Sequence, residues 1–346
     1  MSLVAVLAFF ELFKKRAIFL SSYSIDKISS LMYNDKVIIL LEPVMYIVDT
    51  HCDSLIRVSA ERGLVNEHNL SKRNPHLQLF AEFVPANGMP PEYRRKQIFH
   101  YLDIYIAETQ RLDILPVRDC QELNYAVENG LNASILAIEG GGGFLADSDD
   151  IDTLYRMGLR VMGLCWDTNE LATSAWDKDD FGLTAEGLAM VDKLSSYGII
   201  IDVSHLSDKS FYDVMERTAY PVIATHSNFR DVCNSPRNLT LDMAHRISRR
   251  GGIIGLNIYP AFLNDSGRAD KTDIYRHVDY CLENLGEDVL CFGCDIDGTD
   301  GAYPEGFSEQ SSMHDTLCDI LLERYSSRTV EKIAGENAIN FFKGNL

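Results

Sequence analysis

The stretch "VDTHCD", residues 48–53, sets a histidine and an aspartate two positions apart at the end of an apolar run. Side chains at i and i+2 of a strand share a face, so His51 and Asp53 offer one imidazole and one carboxylate side by side. Such a pair suits a divalent ion of the zinc type. Taken alone it is also what an ordinary solvated strand end looks like. The reading gains force from other polar residues at the ends of other apolar runs: Glu139 in "AIEGG", His205 in "DVSH", His226 in "THSN" and Asp295 in "GCDIDG". Three histidines and three carboxylates meeting at one place are enough for two metal ions.

The backbone pattern must bring them together. Short apolar runs at 46–51, 77–84, 134–140, 159–166, 198–205, 221–226, 252–257 and 289–295 alternate with amphipathic stretches. Eight buried strands alternating with helices predict an α/β fold, a parallel (β/α)8 TIM barrel. Strand C-termini of such a barrel open on one face, which carries the active site. All six polar residues fall there. Thr184 is expected to N-cap a helix that Gly198 ends. The stretches "DKSFYDVMERTAY" and "DIYRHVDYCLENLG" read likewise, and the insert over 85–133 is expected to be helical.

Composition narrows the function. The 346 residues are 46% hydrophobic and 24% charged, ordinary for a globular protein. A net charge of −19 repels phosphate backbones and anionic membranes, so no nucleic-acid partner is expected. The eight cysteines are scattered. Cys291 and Cys294 form a lone C-x2-C whose side chains face opposite ways on a strand, so they are expected as buried reduced thiols of a cytoplasmic protein. Cys52 is expected to face away from the metals and pack under the helices. Residues 1–44 carry a net charge of +1, against −20 for 45–346. The apolar run before Glu11 is too short to span a bilayer, and without a basic n-region or a clear small-residue cleavage site the segment is a poor match to a secretory signal. The C-terminal "NFFKGNL" lacks the hydrophobic tail of a lipid-anchor signal, so no membrane anchor is expected. The expected division is therefore an N-terminal extension over 1–44 and a (β/α)8 barrel domain over 45–346. The extension would be dispensable, as an upstream start codon adds. The alternative is an amphipathic helix packed on the barrel.

The motifs "DTHCD", "AIEGG", "GLTAEGLAMVDKLSSYGIIIDVSH", "THSN", "SPRN", "GCDIDG" and "AGENAINFF", in this order, resemble those of the renal (membrane) dipeptidases. These are zinc metallopeptidases of the amidohydrolase type, and the resemblance covers about 45–346. It implies that His51 and Asp53 bind one zinc and His205 and His226 the other, with Glu139 bridging. It implies that Arg237, in "SPRN", grips the substrate and that Asp295 works in catalysis. Trp166 stands after strand four, where mammalian members place a histidine that contacts the substrate and some bacterial relatives carry the tryptophan. Asp297 is expected as a turn former, and His245 and His277 as surface or packing residues. The implied cofactor is two Zn²⁺ per chain, although such donors also accept Mn, Co or Fe. The implied reaction is hydrolysis of dipeptides, often with a D-residue at the C-terminal position. Two zincs lower the pKa of a shared water and so supply hydroxide. Asp295 takes its proton and hands it to the leaving amine. Arg237 offers a planar fork suited to a carboxylate. Another amidohydrolase on the same barrel, an N-acyl-amino-acid deacylase or a lactonase, would share fold and metals. A non-catalytic binding barrel is the third reading, against which every ligand position is intact. The resemblance leaves room for a homodimer.

Overall fold

The computed structural model describes residues 28–33, 36–41, 45–55, 73–86, 88–299, 301–307 and 312–346. The chain separates into two compact units, Met1–Val44 and Met45–Leu346. In the first, β1 (Ile28–Tyr33) and β2 (Lys36–Leu41) pair antiparallel. Over these residues the segment is therefore strand rather than amphipathic helix, as the β-branched run "KVIILL" favours. The apolar run before Glu11 lies outside the described residues.

The second unit is a closed parallel barrel. Its strands are β3 (Ile47–Cys52), β4 (His76–Glu82), β6 (Ala133–Ile138), β7 (Leu159–Gly163), β8 (Ile200–Asp202), β9 (Val222–Ala224), β10 (Ile253–Leu256) and β11 (Leu290–Phe292). A two-residue strand, β5 (Leu115–Pro116), adds to β6. Each barrel strand pairs with the next in parallel, and the β3–β11 pairing closes the ring. This is the predicted (β/α)8 barrel. Every residue of β3, β4, β6 and β7 is buried, as befits parallel strands covered on both faces. Alternate strand residues divide between two apolar clusters. Phe80, Leu136, Ile138 and Met162 pack with helix residues such as Ile98 and Met190. Leu79, Ile135, Ala137 and Val161 pack with one another. Cys52 lies in the first cluster, as expected.

Helices α1 (Pro91–Arg111) and α2 (Cys120–Asn129) fill the insert that was expected to be helical. After α3 (Asp150–Met157) comes α4 (Ala185–Tyr197), where the Thr184 side chain accepts from the Gly187 amide and Gly198 caps the C-terminus. The next helices are α5 (Asp208–Arg217), α6 (Leu241–Arg249), α7 (Pro260–Leu263), α8 (Lys271–Leu285) and α9 (Met313–Leu322). Several strands are shorter than their apolar runs: the run 198–205 yields only Ile200–Asp202, and 289–295 only Leu290–Phe292. The ladder stops there because the amides turn to side chains. Asp202 takes the amides of Ser204 and Thr225, and Asp49 takes that of Cys294. Among the described residues, no helix is long and apolar enough to cross a membrane.

Candidate metal centre

The register of β3 against β4 slips between Asp49 and Cys52, a bulge of the kind that re-aims side chains next to sites. Asp49 pins the slipped segment. Its carboxylate accepts from the amides of His51 at 3.2 Å and Cys294 at 2.9 Å, and lies 2.7 Å from Nε2 of His314 on α9. The strand that bears His51 is thereby tied to the loop that bears Asp295.

Glu139 directly follows β6, and its Oε1 forms the centre of the site. It lies 2.6 Å from Nε2 of His205, 3.3 Å from that of His226 and 3.4 Å from that of His51. Asp53 Oδ1 is 3.7 Å from Nε2 of His51. The Nε2 atoms of His205 and His226 are 2.9 Å apart. All five are buried. Arg237, also buried, brings Nη2 to 3.1 Å from His205 Nε2 and 2.9 Å from His226 Nε2. Its Nη1 donates to the Ser204 carbonyl, and the guanidinium lies over the Phe262 ring. Asp295 follows β11 in a left-handed conformation, φ 58°, with Oδ2 accepting from Asn257 Nδ2 at 3.1 Å. A Cβ on Gly298 would meet Asp295 Oδ1 at 2.0 Å and Asp53 Oδ2 at 2.2 Å, so two carboxylates converge where only glycine fits. Trp166 is half-buried at the rim; it stacks on Phe83 and sits 6.1 Å from the His205 ring.

Electrostatics follow from this crowding. Burial lowers the pKa values of His205 and His226 well below the usual histidine range, and the charges of Arg237 and His51 add to it. Burial acts the same way on His51, but Glu139, Asp53 and Asp295 together outweigh it and raise His51 to about 10. Burial pushes Glu139 well above the carboxylate range and Asp295 up to about 6. His51 Nε2, Asp53 Oδ1 and Glu139 Oε2 are buried without a hydrogen-bond partner among the described residues. Buried polar atoms are rarely left unbonded. Imidazole nitrogens with carboxylate oxygens are the donors a zinc-type cation takes, so the residues fit such ions. Four ligand groups form among the described residues; two of them, Glu139–His205–His226 and His51–Asp53–Glu139, share Glu139, while His51–Asp202–His226 and Asp49–Cys294–His314 do not include it.

Sequence reasoning missed the residues behind these. Asp49 and Asp202 stand inside the apolar runs "YIVDTH" and "GIIIDVSH", and a charged residue in a buried strand was a usable signal. Glu82 at the end of β4 is a third case: burial, then Asp53, raise its pKa well above the usual range. His314 carried no signal, being 265 positions from Asp49. Among the residues set aside, His277 is buried with Nε2 3.1 Å from the Leu263 carbonyl, a packing role, and His245 is half-buried on α6. Asp297 has φ 68° and accepts from Ser54 Oγ at 2.7 Å. Cys291 and Cys294 share no ligand group among the described residues; Cys294 instead lies with Asp49 and His314.

Comparison with known proteins shows the family and the fold. The chain is 26% identical over 333 residues to an uncharacterized dipeptidase of Schizosaccharomyces pombe, covering 86% of this chain and 79% of that one. The crystal structure of dipeptidase AC, a metallopeptidase of family M19, superposes with a TM-score of 0.78 at 25% identity, over 88% of this chain and 99% of the other. A metallopeptidase from Rhodobacter sphaeroides, liganded with a phosphinate mimic of the dipeptide L-Ala-D-Ala, also gives a TM-score of 0.78, at 23% identity over 88% and 100% of the two chains. Residues 38–344 match the membrane dipeptidases as a family, and with nearly the whole chain inside that match, the protein belongs to the membrane dipeptidase family, peptidase family M19.

Proposed function

We propose that the protein hydrolyses dipeptides with two zinc ions per chain, one held by His51 and Asp53, the other by His205 and His226, with Glu139 touching both. The observation that carries this is the single oxygen, Glu139 Oε1, within 3.4 Å of three imidazole Nε2 atoms from three different strand ends. Divalent ions bound there supply Lewis acidity and lower the pKa of water. The remaining steps belong to the chain. Asp295, beside Asp53 and steadied by Asn257, accepts the proton of the attacking water and returns it to the leaving amine. Arg237 presents a planar guanidinium for the substrate's C-terminal carboxylate. Trp166, stacked on Phe83, forms an apolar wall against a substrate side chain.

The ligand of the Rhodobacter structure makes L-Ala-D-Ala the first substrate to try. The test is a dipeptide panel that includes L-D pairs, with N-acetyl amino acids as controls, on metal-loaded protein. Turnover of N-acetyl amino acids without turnover of dipeptides would sink the dipeptidase reading. Elemental analysis should return two ions per chain, and Glu139→Gln should weaken both. A single ion would refute the shared carboxylate. The free thiols support a reducing, cytoplasmic setting. A homodimer, the other expectation, is tested by sedimentation.

A further inference from the structure

Behind the metal-facing side of the site lies a hydroxyl with four polar neighbours. Thr225 directly follows β9 and precedes His226. Its Oγ1 is 2.6 Å from Asp202 Oδ2, 2.8 Å from Nδ1 of His226, 3.3 Å from Nδ1 of His51 and 3.1 Å from Ser204 Oγ. The backbone around it is fixed. The Thr225 carbonyl accepts from Thr50 Oγ1 at 2.5 Å, and a Cβ on Gly255 would stand 1.9 Å from that carbonyl.

Proton counting assigns the donors. A hydroxyl has one proton and two lone pairs, and an ionised carboxylate only accepts. Asp202 Oδ1 receives the Ser204 and Thr225 amides, both at 3.0 Å, and the Ser204 hydroxyl at 2.6 Å. The Thr225 proton goes to the other oxygen, Oδ2, its shortest contact. Two lone pairs are left, and two imidazole nitrogens face them. Each of those nitrogens must therefore carry the proton, because Thr225 has none left to give. An Nδ1–H imidazole keeps its lone pair on Nε2. Both Nε2 atoms point at Glu139 Oε1, and the two rings lie 3.7 Å apart between centroids.

We propose that Thr225, anchored by Asp202, is a positioning residue that holds His51 and His226 together as Nδ1–H tautomers and so presents one Nε2 ligand to each of the two metals. The assignment to separate metals rests on the functional reading above. One hydroxyl then governs the ligand chemistry of both ions, and the two affinities are linked through it.

The test has a metal-free arm and a metal arm. In protein labelled with 15N-histidine and stripped of metal, long-range 1H–15N NMR should find Nδ1 protonated in both His51 and His226, with Nε2 of His226 bare. Thr225→Val, which keeps the shape and removes the hydroxyl, should release that preference, and Thr225→Ser should restore it. In chelator competition, Thr225→Val should weaken both zinc ions by roughly 10–100-fold, the usual effect of losing such a partner. The absorption bands of the Co²⁺-substituted protein should shift in step, and Thr225→Ser should recover both readouts. Nε2–H tautomers in the wild type would overturn the proposal, even if Thr225→Val failed to fold. So would unchanged zinc affinity in Thr225→Val, or weakening of one ion only. If the wild type takes up no second ion, the dimetal reading fails, while the NMR arm still decides the role of Thr225.

Discussion

At the scale of single residues, the site sorts its charged groups by what surrounds them. Asp295 is raised to about 6 by burial, with Asp53 adding. It can accept a proton only when ionised, so activity should fall as pH drops through its pKa. Two cations nearby would pull that limb below the value for the empty site. Asp295→Asn keeps the shape and removes the base: kcat should fall by roughly 10²–10⁴ while metal content stays at two, and the acidic limb should vanish. Loss of an ion in step with activity would make Asp295 a ligand instead. For Arg237→Met the expectation is a KM that rises more than kcat falls, because a carboxylate grip acts in ground and transition states alike. Arg237→Lys should recover only part, since a point charge lacks the fork. Steady-state kinetics on L-Ala-D-Ala checks both, and an unchanged KM would remove Arg237 from substrate binding. Asp295 was legible because it is polar at the end of an apolar run, whereas Arg237 was legible only through the resemblance carried by "SPRN". Thr225 and Asn257 were not, because a threonine or asparagine near a strand end is unremarkable until its neighbours are known.

At the scale of elements, the strand pattern was legible and the strand ends were not. Apolar runs mark where chain is buried, but the last residues of 198–205 and 289–295 are buried without being strand, since their amides serve Asp202 and Asp49. The bulge in β3 was equally hidden, because register depends on a partner strand that no local pattern names. Asp49 holds β3, the loop after β11 and α9 to one carboxylate. Asp49→Ala would leave buried donors unpaired, each costing about 1–3 kcal/mol. The urea midpoint should fall, and metal affinity with it, as His51 loses its anchor. A full-strength site in a destabilised Asp49→Ala protein would separate the two roles.

At the scale of the whole molecule, the acidic barrel domain and the near-neutral leading segment behave as different materials. The chain divides at Val44 and Met45, and a protein starting at Met45 is expected to fold and to keep its kcat/KM; insoluble protein would show that the barrel needs the segment. That a ring would form was readable from eight alternating runs, whereas which strand closes it was carried by the end-to-end pairing of Phe292 with Asp49. That closure also sets an order in time. A ribosome adds roughly 5–20 residues per second, and His51, Asp53, Glu139, His205 and His226 all leave it before β10 and β11 exist. A chain arrested after His226 thus carries every proposed ligand but no ring to hold them at their distances. On the proposed ligand set, metal loading would therefore register completion of the ring rather than of the ligands, and a prematurely terminated chain would hold its imidazoles loose.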